Sequence, residues 1–186
     1  MIAVVMGVSG AGKSKVSTLV AARLGWRYVD ADDLHSSFNI AKMHAGIPLS
    51  DQDREPWLEK VHEVVSELYS GGASGVIACS ALKDAYRRKI AGIDERHEVR
   101  FILLDVAPGI LQTRLARRPH HYMNPDLLPS QLDILEVSGV DMVCPNNGSL
   151  SDTVSQIVTY LKEQCANQRE ASQSSGATPT EGNAHA

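Results

Sequence analysis

The chain has 186 residues, of which 43% are hydrophobic and 22% are charged, and its formal net charge at pH 7 is −4. This length and composition predict one globular domain with a complete apolar core. The acidic balance argues against a general nucleic-acid-binding protein, because such proteins are usually basic.

The cysteines and the apolar runs indicate the cellular setting. Cys79, Cys144 and Cys165 lack the spacing of metal ligands, so we expect reduced thiols in a cytoplasmic protein. The apolar run at 1–8 has no basic segment before it and leads into a glycine loop, which predicts a first strand and not a signal peptide. No apolar run approaches the roughly 20 residues that a bilayer-spanning helix needs. We therefore expect no membrane association.

Short apolar runs alternate with helical patterns along the chain. The runs predict strands, and apolar residues at helical spacing predict helices. In chain order, the predicted elements are a strand at 2–6, a helix at 14–24, a strand at 27–30, helical segments at 36–69 with a break at 47–51, a strand at 76–79, a helix through 86–90, a strand at 100–105, a helix at 109–117, a strand at 140–144 and a helix at 153–164. This alternation predicts an α/β fold with a parallel sheet covered by helices on both faces.

The composition changes at about residue 167. From there to 186 the sequence is mainly Ser, Thr, Gly, Gln, Asn, Ala and charged residues, without a large apolar side chain. Such a segment cannot bury enough apolar surface to offset the entropy of ordering it. We therefore predict a folded domain at 1–166 and a disordered tail at 167–186.

A glycine-rich loop follows the first strand. The sequence Gly7-Val-Ser-Gly-Ala-Gly-Lys13-Ser14 matches the phosphate-binding pattern G-x-x-x-x-G-K-[ST] in full and opens a helix. Its backbone N–H groups suit nucleotide phosphates, while Lys13 suits the β- and γ-phosphates and Ser14 suits Mg²⁺. The predicted nucleotide-binding residues of this loop are Gly7, Ser9, Gly10, Ala11, Gly12, Lys13, Ser14 and Lys15.

Two carboxylates, Asp30 and Asp32, lie where the second strand ends. The carboxyl ends of parallel strands face the ligand crevice, and alternate residues of an extended segment share a face. One carboxylate is suited to hold Mg²⁺ and the other to accept a proton from a substrate hydroxyl; an acidic surface turn is the alternative. The chain lacks the guanine-reading Asn-Lys-x-Asp motif of regulatory GTPases, and its length is typical of small kinases.

From residue 6 to about 136 the chain resembles the gluconokinase family of small P-loop kinases. The matching stretches are Gly-Val-Ser-Gly-x-Gly-Lys-Ser at 7–14, Asp-x-Asp-Asp-Leu-His at 30–35, Asn-Ile-x-Lys-Met at 39–43, Gly-x-Pro-Leu-x-Asp-x-Asp-Arg-x-Pro-Trp-Leu at 46–58, Cys-Ser-Ala-Leu-Lys at 79–83 with Tyr-Arg at 86–87, and Leu-Leu-x-Ser-Gln at 127–131. The stretch at 46–58 is the most specific, because nucleotide kinases in general lack it.

This resemblance implies transfer of a phosphoryl group from ATP, with Mg²⁺, to D-gluconate, which yields 6-phospho-D-gluconate. It also implies a P-loop kinase fold with a five-stranded parallel sheet in the order 2-3-1-4-5, a mobile lid and a homodimer. By similarity to related shikimate kinases, Asp32 is the residue that deprotonates the hydroxyl, and Asp30 lies with Ser14 on the magnesium side. The alternatives are a kinase for another small hydroxy or sugar acid, such as shikimate, and a non-catalytic nucleotide-binding module.

Polar side chains in and near the matching stretches are suited to a sugar acid. Arg54 offers a planar fork for a carboxylate. The predicted substrate-binding residues are Asp32, His35, Arg54, Trp57, Lys83, Arg87, His121 and Gln131. Plainer alternatives are a capping role for His35, a core position for Trp57, and solvent-facing charges for Arg54, Lys83 and Arg87.

Positive side chains concentrate after the helix that follows the fourth strand, where related kinases have their lid. The patch consists of Arg114, Arg117 and Arg118, with His120 and His121. A lid at about 117–126 would bring guanidinium groups onto the transferring phosphoryl group, and a solvated basic helix end is the alternative. We predict that Arg114 and Arg118 bind the nucleotide and that Lys13, Asp32 and Arg118 are catalytic.

Overall fold

The strands form one parallel sheet. They are β1 (Ile2–Met6), β2 (Arg27–Asp30), β3 (Gly75–Ala78), β4 (Val99–Asp105) and β5 (Met142–Pro145), in the order β2-β3-β1-β4-β5. The structure is a computed structural model and describes residues 1–92, 98–117 and 124–174. The predicted α/β class and the strand order are confirmed.

Helices cover both faces of this sheet. In the described residues they are α1 (Lys13–Leu24), α2 (Ser37–His44), α3 (Asp51–Ser70), α4 (Asp84–Ala91), α5 (Pro108–Ala116), α6 (Leu128–Asp133) and α7 (Leu150–Ser174), with 3₁₀ turns at Ala31–Leu34 and Pro125–Leu127. None of these helices combines the length and the apolar character needed to cross a membrane.

Strand β1 lies at the centre and divides the core into two halves. It pairs with β3 on one side and with β4 on the other, and all of its residues are buried. Because side chains alternate across a strand, Ala3 and Val5 pack with α1, α5 and α7, whereas Ile2, Val4 and Met6 pack with α3 and α4. The sheet is therefore apolar on both faces, as its continuous apolar strands indicate.

The carboxyl ends of the strands gather the predicted site residues at one edge of the sheet. Strand β1 leads into the glycine loop, β2 ends at Asp30, and Ser80 follows β3 closely. The backbone N–H of Gly7 donates to the carbonyl of Ser80 at 3.3 Å, which joins the exits of β1 and β3. This edge is where an open parallel sheet binds its ligand.

Two helices differ from the sequence-based prediction. Helix α6 was not predicted, because a helix of six residues is too short to show a clear apolar period. Helix α7 continues to Ser174, so the predicted tail boundary is wrong for 167–174. Extending a helix that is already packed requires only propagation, and the segment 168–171 (Gln-Arg-Glu-Ala) consists of strong helix formers. The rest of the predicted tail, 175–186, lies outside the described residues.

Candidate active site

The glycine loop at 7–12 connects β1 with α1, as predicted. Gly10 and Gly12 have φ angles of +82° and +95°, in the region that residues with side chains rarely adopt. A Cβ atom at Gly12 would also lie only 3.0 Å from Nδ2 of Asn146. The loop enters α1 at Lys13, so the first backbone N–H groups of this helix have no intrahelical carbonyl partner and suit an anion.

Asn146 and Arg114 hold the loop from behind. Nδ2 of Asn146 donates to the carbonyl of Ala11 at 2.7 Å, and Nη1 of Arg114 donates to the same carbonyl at 3.4 Å. Nη2 of Arg114 donates to the carbonyl of Asn146 at 2.7 Å, and the Thr153 hydroxyl donates to Oδ1 of Asn146 at 3.0 Å. The Ala11 carbonyl is thereby held on the protein side of the loop. Sequence analysis missed Asn146, whose position directly after β5 is the signal that could have identified it.

Lys13 and Gln131 also contact the loop. Nζ of Lys13 donates to the carbonyl of Val8 at 3.2 Å, so the amine lies across the loop. The backbone N–H of Ser9 donates to Oε1 of Gln131 at 2.6 Å, which joins the loop to α6. Ser14 and Lys15 are exposed in the first turn of α1. The structure thus brings the predicted loop residues and Gln131 together.

Asp30 ends β2 and caps the 3₁₀ turn that follows it, and Asp32 lies in that turn. Oδ1 of Asp30 accepts from the backbone N–H of Asp32 at 3.1 Å, and Oδ2 accepts from the Tyr28 hydroxyl at 2.9 Å. Partial burial and the Asp30 carboxylate raise the pKa of Tyr28 to about 12, and its hydroxyl also interacts with Ser14. Asp30 and Ser14, the two predicted magnesium ligands, therefore flank one hydroxyl group.

A cleft opens beside this turn, between α3, α6 and the segment that follows β3. It brings together five of the predicted substrate-binding residues with side chains that were not predicted to bind the substrate. The lining residues are Asp32, His35, Met43, Pro48, Leu49, Arg54, Trp57, Ser80, Leu82, Leu127, Ser130 and Gln131. Ser130 lies in the matching stretch at 127–131, and that position is the signal that could have identified it.

His35 and Trp57 form one wall of the cleft. Their rings stack with centroids 4.4 Å apart and an interplanar angle of 11°. Nε1 of Trp57 donates to the carbonyl of Ala31 at 2.7 Å, so the tryptophan is both a core residue and a support for His35. Burial lowers the pKa of His35 to about 4, so the imidazole is neutral at pH 7. Its Nδ1 is buried and has no hydrogen-bond partner within the described part of the chain.

The stretch at 46–58 positions Arg54. Ser50 and Asp53 form a reciprocal capping box that fixes the start of α3. Arg54 follows in the first turns of this helix, and its Nη1 donates to the carbonyl of Leu49 at 2.6 Å and to the Tyr86 hydroxyl at 3.3 Å. The guanidinium group is thereby held at the cleft wall.

Lys83 and Arg87 do not line the cleft. Nζ of Lys83 donates to both carboxylate oxygens of Asp51, at 2.9 and 2.8 Å. The Arg87 side chain is 2% exposed. Its guanidinium group donates to three backbone carbonyls, those of Ala81, Leu82 and Ser138. Both charged groups thus have protein partners outside the cleft, although Nε of Arg87 is buried without a partner in the described part of the chain.

Arg87 instead supports the turn after β3. Ala81 has a φ of +43°, an uncommon conformation for a residue other than glycine. Nη1 of Arg87 donates hydrogen bonds to two successive backbone carbonyls of this turn, that of Ala81 at 2.9 Å and that of Leu82 at 3.2 Å. Since Ser80 and Leu82 line the cleft, Arg87 shapes the cleft from behind.

Two predicted residues cannot be placed. Arg118 and His121 lie outside the described residues, as do His120 and most of the predicted lid at 117–126. Of the predicted positive patch, Arg114 contacts the phosphate loop, and Arg117 lies near it in a cavity of about 320 Å³ that Gly12, Lys15 and Asn146 also line.

A phosphate loop beside a polar cleft at the strand ends of this sheet defines a P-loop kinase for a small molecule. The family model for the AAA domain matches residues 2–133. A gluconokinase from Gluconobacter oxydans is 47% identical over 138 residues, which cover 74% of this chain and 76% of the relative. The chain belongs to the gluconokinase family.

Solved structures agree with this assignment. The unliganded structure of a sugar kinase from Janibacter sp. HTCC2649 is 36% identical, covers 87% of this chain and 94% of its own, and superposes with a TM-score of 0.80. A gluconokinase from Sinorhizobium meliloti 1021 is 33% identical, with coverages of 87% and 95% and a TM-score of 0.71.

Proposed function

We propose that the chain transfers the γ-phosphoryl group of ATP to the 6-hydroxyl of D-gluconate, giving ADP and 6-phospho-D-gluconate. The observation that carries this proposal is the cleft in which a carboxylate, Asp32, and a guanidinium group, Arg54, are both present beside the phosphate loop. A sugar acid requires both groups, one for the reacting hydroxyl and one for the carboxylate. Family membership supports the same substrate.

Asp32 is the proposed proton acceptor. It lines the cleft on the side of the 3₁₀ turn, where its backbone is fixed by the Asp30 carboxylate. The substrate hydroxyl gives its proton to the Asp32 carboxylate as its oxygen bonds the γ-phosphorus. The bond from that phosphorus to the β–γ bridging oxygen breaks, and ADP leaves. In a loose phosphoryl-transfer transition state the orientation of the hydroxyl by Asp32 contributes alongside the proton transfer.

Arg54 is the proposed anchor for the gluconate carboxylate. Its hydrogen bonds with the described residues all involve Nη1, so Nε and Nη2 remain for a second, ionic partner. A planar guanidinium edge matches the two oxygens of a carboxylate. His35 and Gln131 are proposed to bind hydroxyl groups along the sugar chain, since both line the same cleft.

The nucleotide and its metal are proposed to lie on the other side of Asp32. Ser14 and Asp30 provide the hard oxygen atoms that suit Mg²⁺, which commonly binds one or two protein oxygens together with nucleotide phosphates. Bound there, Mg²⁺ would neutralise phosphate charge. Lys13 would reach the β- and γ-phosphates, and the cavity beside Arg114 and Arg117 would take the nucleoside. We further propose that Arg118 closes on the γ-phosphate, His121 binds the substrate, and the protein is a cytoplasmic homodimer.

The test is a coupled assay of ADP release with Mg·ATP and a panel of acceptors. D-gluconate should give the highest kcat/KM, well above shikimate and other sugar acids. A different acid as best substrate would move the assignment to another small-acid kinase. Turnover of no acid, with ATP still bound in calorimetry, would favour a non-catalytic nucleotide-binding module.

A further inference from the structure

Lys83, Asp51, Tyr86 and Arg54 form one polar network at the edge of the cleft. The Lys83 ammonium and the Tyr86 hydroxyl both donate to the Asp51 carboxylate. The same tyrosine hydroxyl accepts from Nη1 of Arg54 at 3.3 Å. The two cationic groups also lie over the Tyr86 ring, 5.3 Å (Lys83) and 5.6 Å (Arg54) from its centroid. Of these residues only Arg54 lines the cleft.

The Asp51 carboxylate lies where it could compete with a bound anion for Arg54. Its Oδ1 atom lies 3.7 Å from Nη1 of Arg54, close enough for an ion pair but too far for a hydrogen bond. A small rotation of the Asp51 side chain, which is 63% exposed, would bring a carboxylate onto the guanidinium group. Arg54 would then be neutralised by the protein's own acid and would compete poorly for the carboxylate of a substrate.

Lys83 pairs with Asp51, the acid that would otherwise neutralise Arg54. Its ammonium contacts both Asp51 oxygens, and this pairing, together with the Tyr86 hydroxyl, lowers the pKa of Asp51, which therefore stays ionised and paired. A pair this exposed contributes little to folding. The main effect of the pair is therefore to fix the direction in which the Asp51 carboxylate points.

We propose that Lys83 is a positioning residue that keeps the Asp51 carboxylate out of hydrogen-bond contact with Arg54 and thereby keeps the guanidinium group available to an acidic substrate. This proposal rests on the proposed role of Arg54 as the carboxylate anchor. It replaces the predicted direct contact of Lys83 with substrate. It also accounts for a lysine that is in the matching stretch at 79–83 but outside the cleft.

The test is a double-mutant cycle of Lys83→Met, Asp51→Asn and the two together, with Lys83→Arg as the charge-conserving control. For each protein, KM for D-gluconate and for ATP is measured, and gluconate binding is measured by calorimetry without nucleotide. Lys83→Met should raise KM and Kd for gluconate about tenfold, the equivalent of about 1.4 kcal/mol, with KM for ATP unchanged. Lys83→Arg should remain close to wild type, because arginine can also pair with both oxygens of Asp51.

The decisive protein is the double variant. With Asp51→Asn present, the carboxylate that Lys83 restrains is gone, so the loss caused by Lys83→Met should be reversed to within about threefold of wild type, a residual below about 0.7 kcal/mol. If the double variant binds gluconate as weakly as Lys83→Met alone, Lys83 contacts the substrate directly. If Lys83→Met leaves KM and Kd for gluconate unchanged, Lys83 has no role in substrate binding. Either result overturns the proposal. Failure of the proposed function is read separately, from wild type, which would then neither bind nor phosphorylate D-gluconate.

Discussion

Nδ2 of Asn146 donates a hydrogen bond to the carbonyl oxygen of Ala11 at 2.7 Å, across 135 positions of sequence. This contact joins the residue that follows β5 to the phosphate loop that follows β1. Because the amide oxygen of Asn146 is held by Thr153, the donor cannot turn away from the loop. The loop is thus shaped by the far edge of the sheet as well as by its own glycines.

Asn146→Ala should weaken the binding of ATP more than the binding of gluconate. The Ala11 carbonyl would keep only the longer bond from Arg114, and the loop would lose its fixed direction. We expect KM for ATP to rise about tenfold, since one lost buried hydrogen bond corresponds to about 1 to 1.5 kcal/mol, with KM for gluconate nearly unchanged. The matched control is Asn147→Ala, which removes an exposed bond to the N–H of Ala107. Equal increases in KM for ATP and KM for gluconate would contradict the role assigned to Asn146.

Arg87→Met should destabilise the protein, because it leaves the carbonyls of Ala81, Leu82 and Ser138 without their donor. We expect a loss of about 2 to 4 kcal/mol in the free energy of unfolding, measured by urea denaturation. Arg88→Met is the matched control on the same helix. Its side chain is 73% exposed and pairs with Asp84, so the change in the free energy of unfolding should stay within about 0.5 kcal/mol. A raised KM for gluconate at full stability would instead return Arg87 to the substrate site.

The strands and the phosphate loop were predictable because their signals are local. Continuous apolar runs such as 2–6 identify buried parallel strands, and the spacing of Gly7, Gly12 and Lys13 identifies a phosphate loop without any knowledge of the fold. Asp32 was also predictable, since it follows a strand whose carboxyl end must face the crevice. The strand order itself came from the family resemblance.

The partners of the charged side chains were not predictable in this way. Lys83 and Arg87 follow β3 at the expected edge, but Lys83 pairs with Asp51 and Arg87 donates to backbone carbonyls. Asn146 acts on a loop at the opposite end of the sequence. The partner of a polar side chain depends on which groups the tertiary structure brings within about 3 Å of it. Neither the composition nor the periodicity of the sequence encodes these partners.

His35→Phe should reduce the loss of stability on acidification. The folded-state pKa of about 4 lies below the ordinary value of 6.5, so between these pH values the unfolded chain binds a proton that the folded chain does not. Stability contributed by the neutral ring is therefore present above about pH 6.5 and declines as pH falls, by at most about 1.4 kcal/mol per pH unit. Phenylalanine keeps a ring for the stack on Trp57 but cannot titrate.

The measurement for His35 is the difference in urea unfolding free energy between pH 7 and pH 5. Wild type should lose more stability over this interval than His35→Phe. Identical losses in the two proteins would mean that His35 is not buried in its neutral form, and the structure of this cleft wall would then be wrong.

The most direct test of Asp32 as the catalytic carboxylate is phosphoryl transfer to D-gluconate by Asp32→Asn across a magnesium titration. Asparagine keeps the shape of the side chain but cannot take the proton, so kcat should fall about 10²-fold or more, stay low at every Mg²⁺ concentration, and leave gluconate binding intact by calorimetry. Asp33→Asn, at the exposed neighbouring position, should keep full turnover. Recovery of Asp32→Asn at high Mg²⁺ would contradict this assignment, because a lost metal ligand can be compensated by more metal and a lost base cannot.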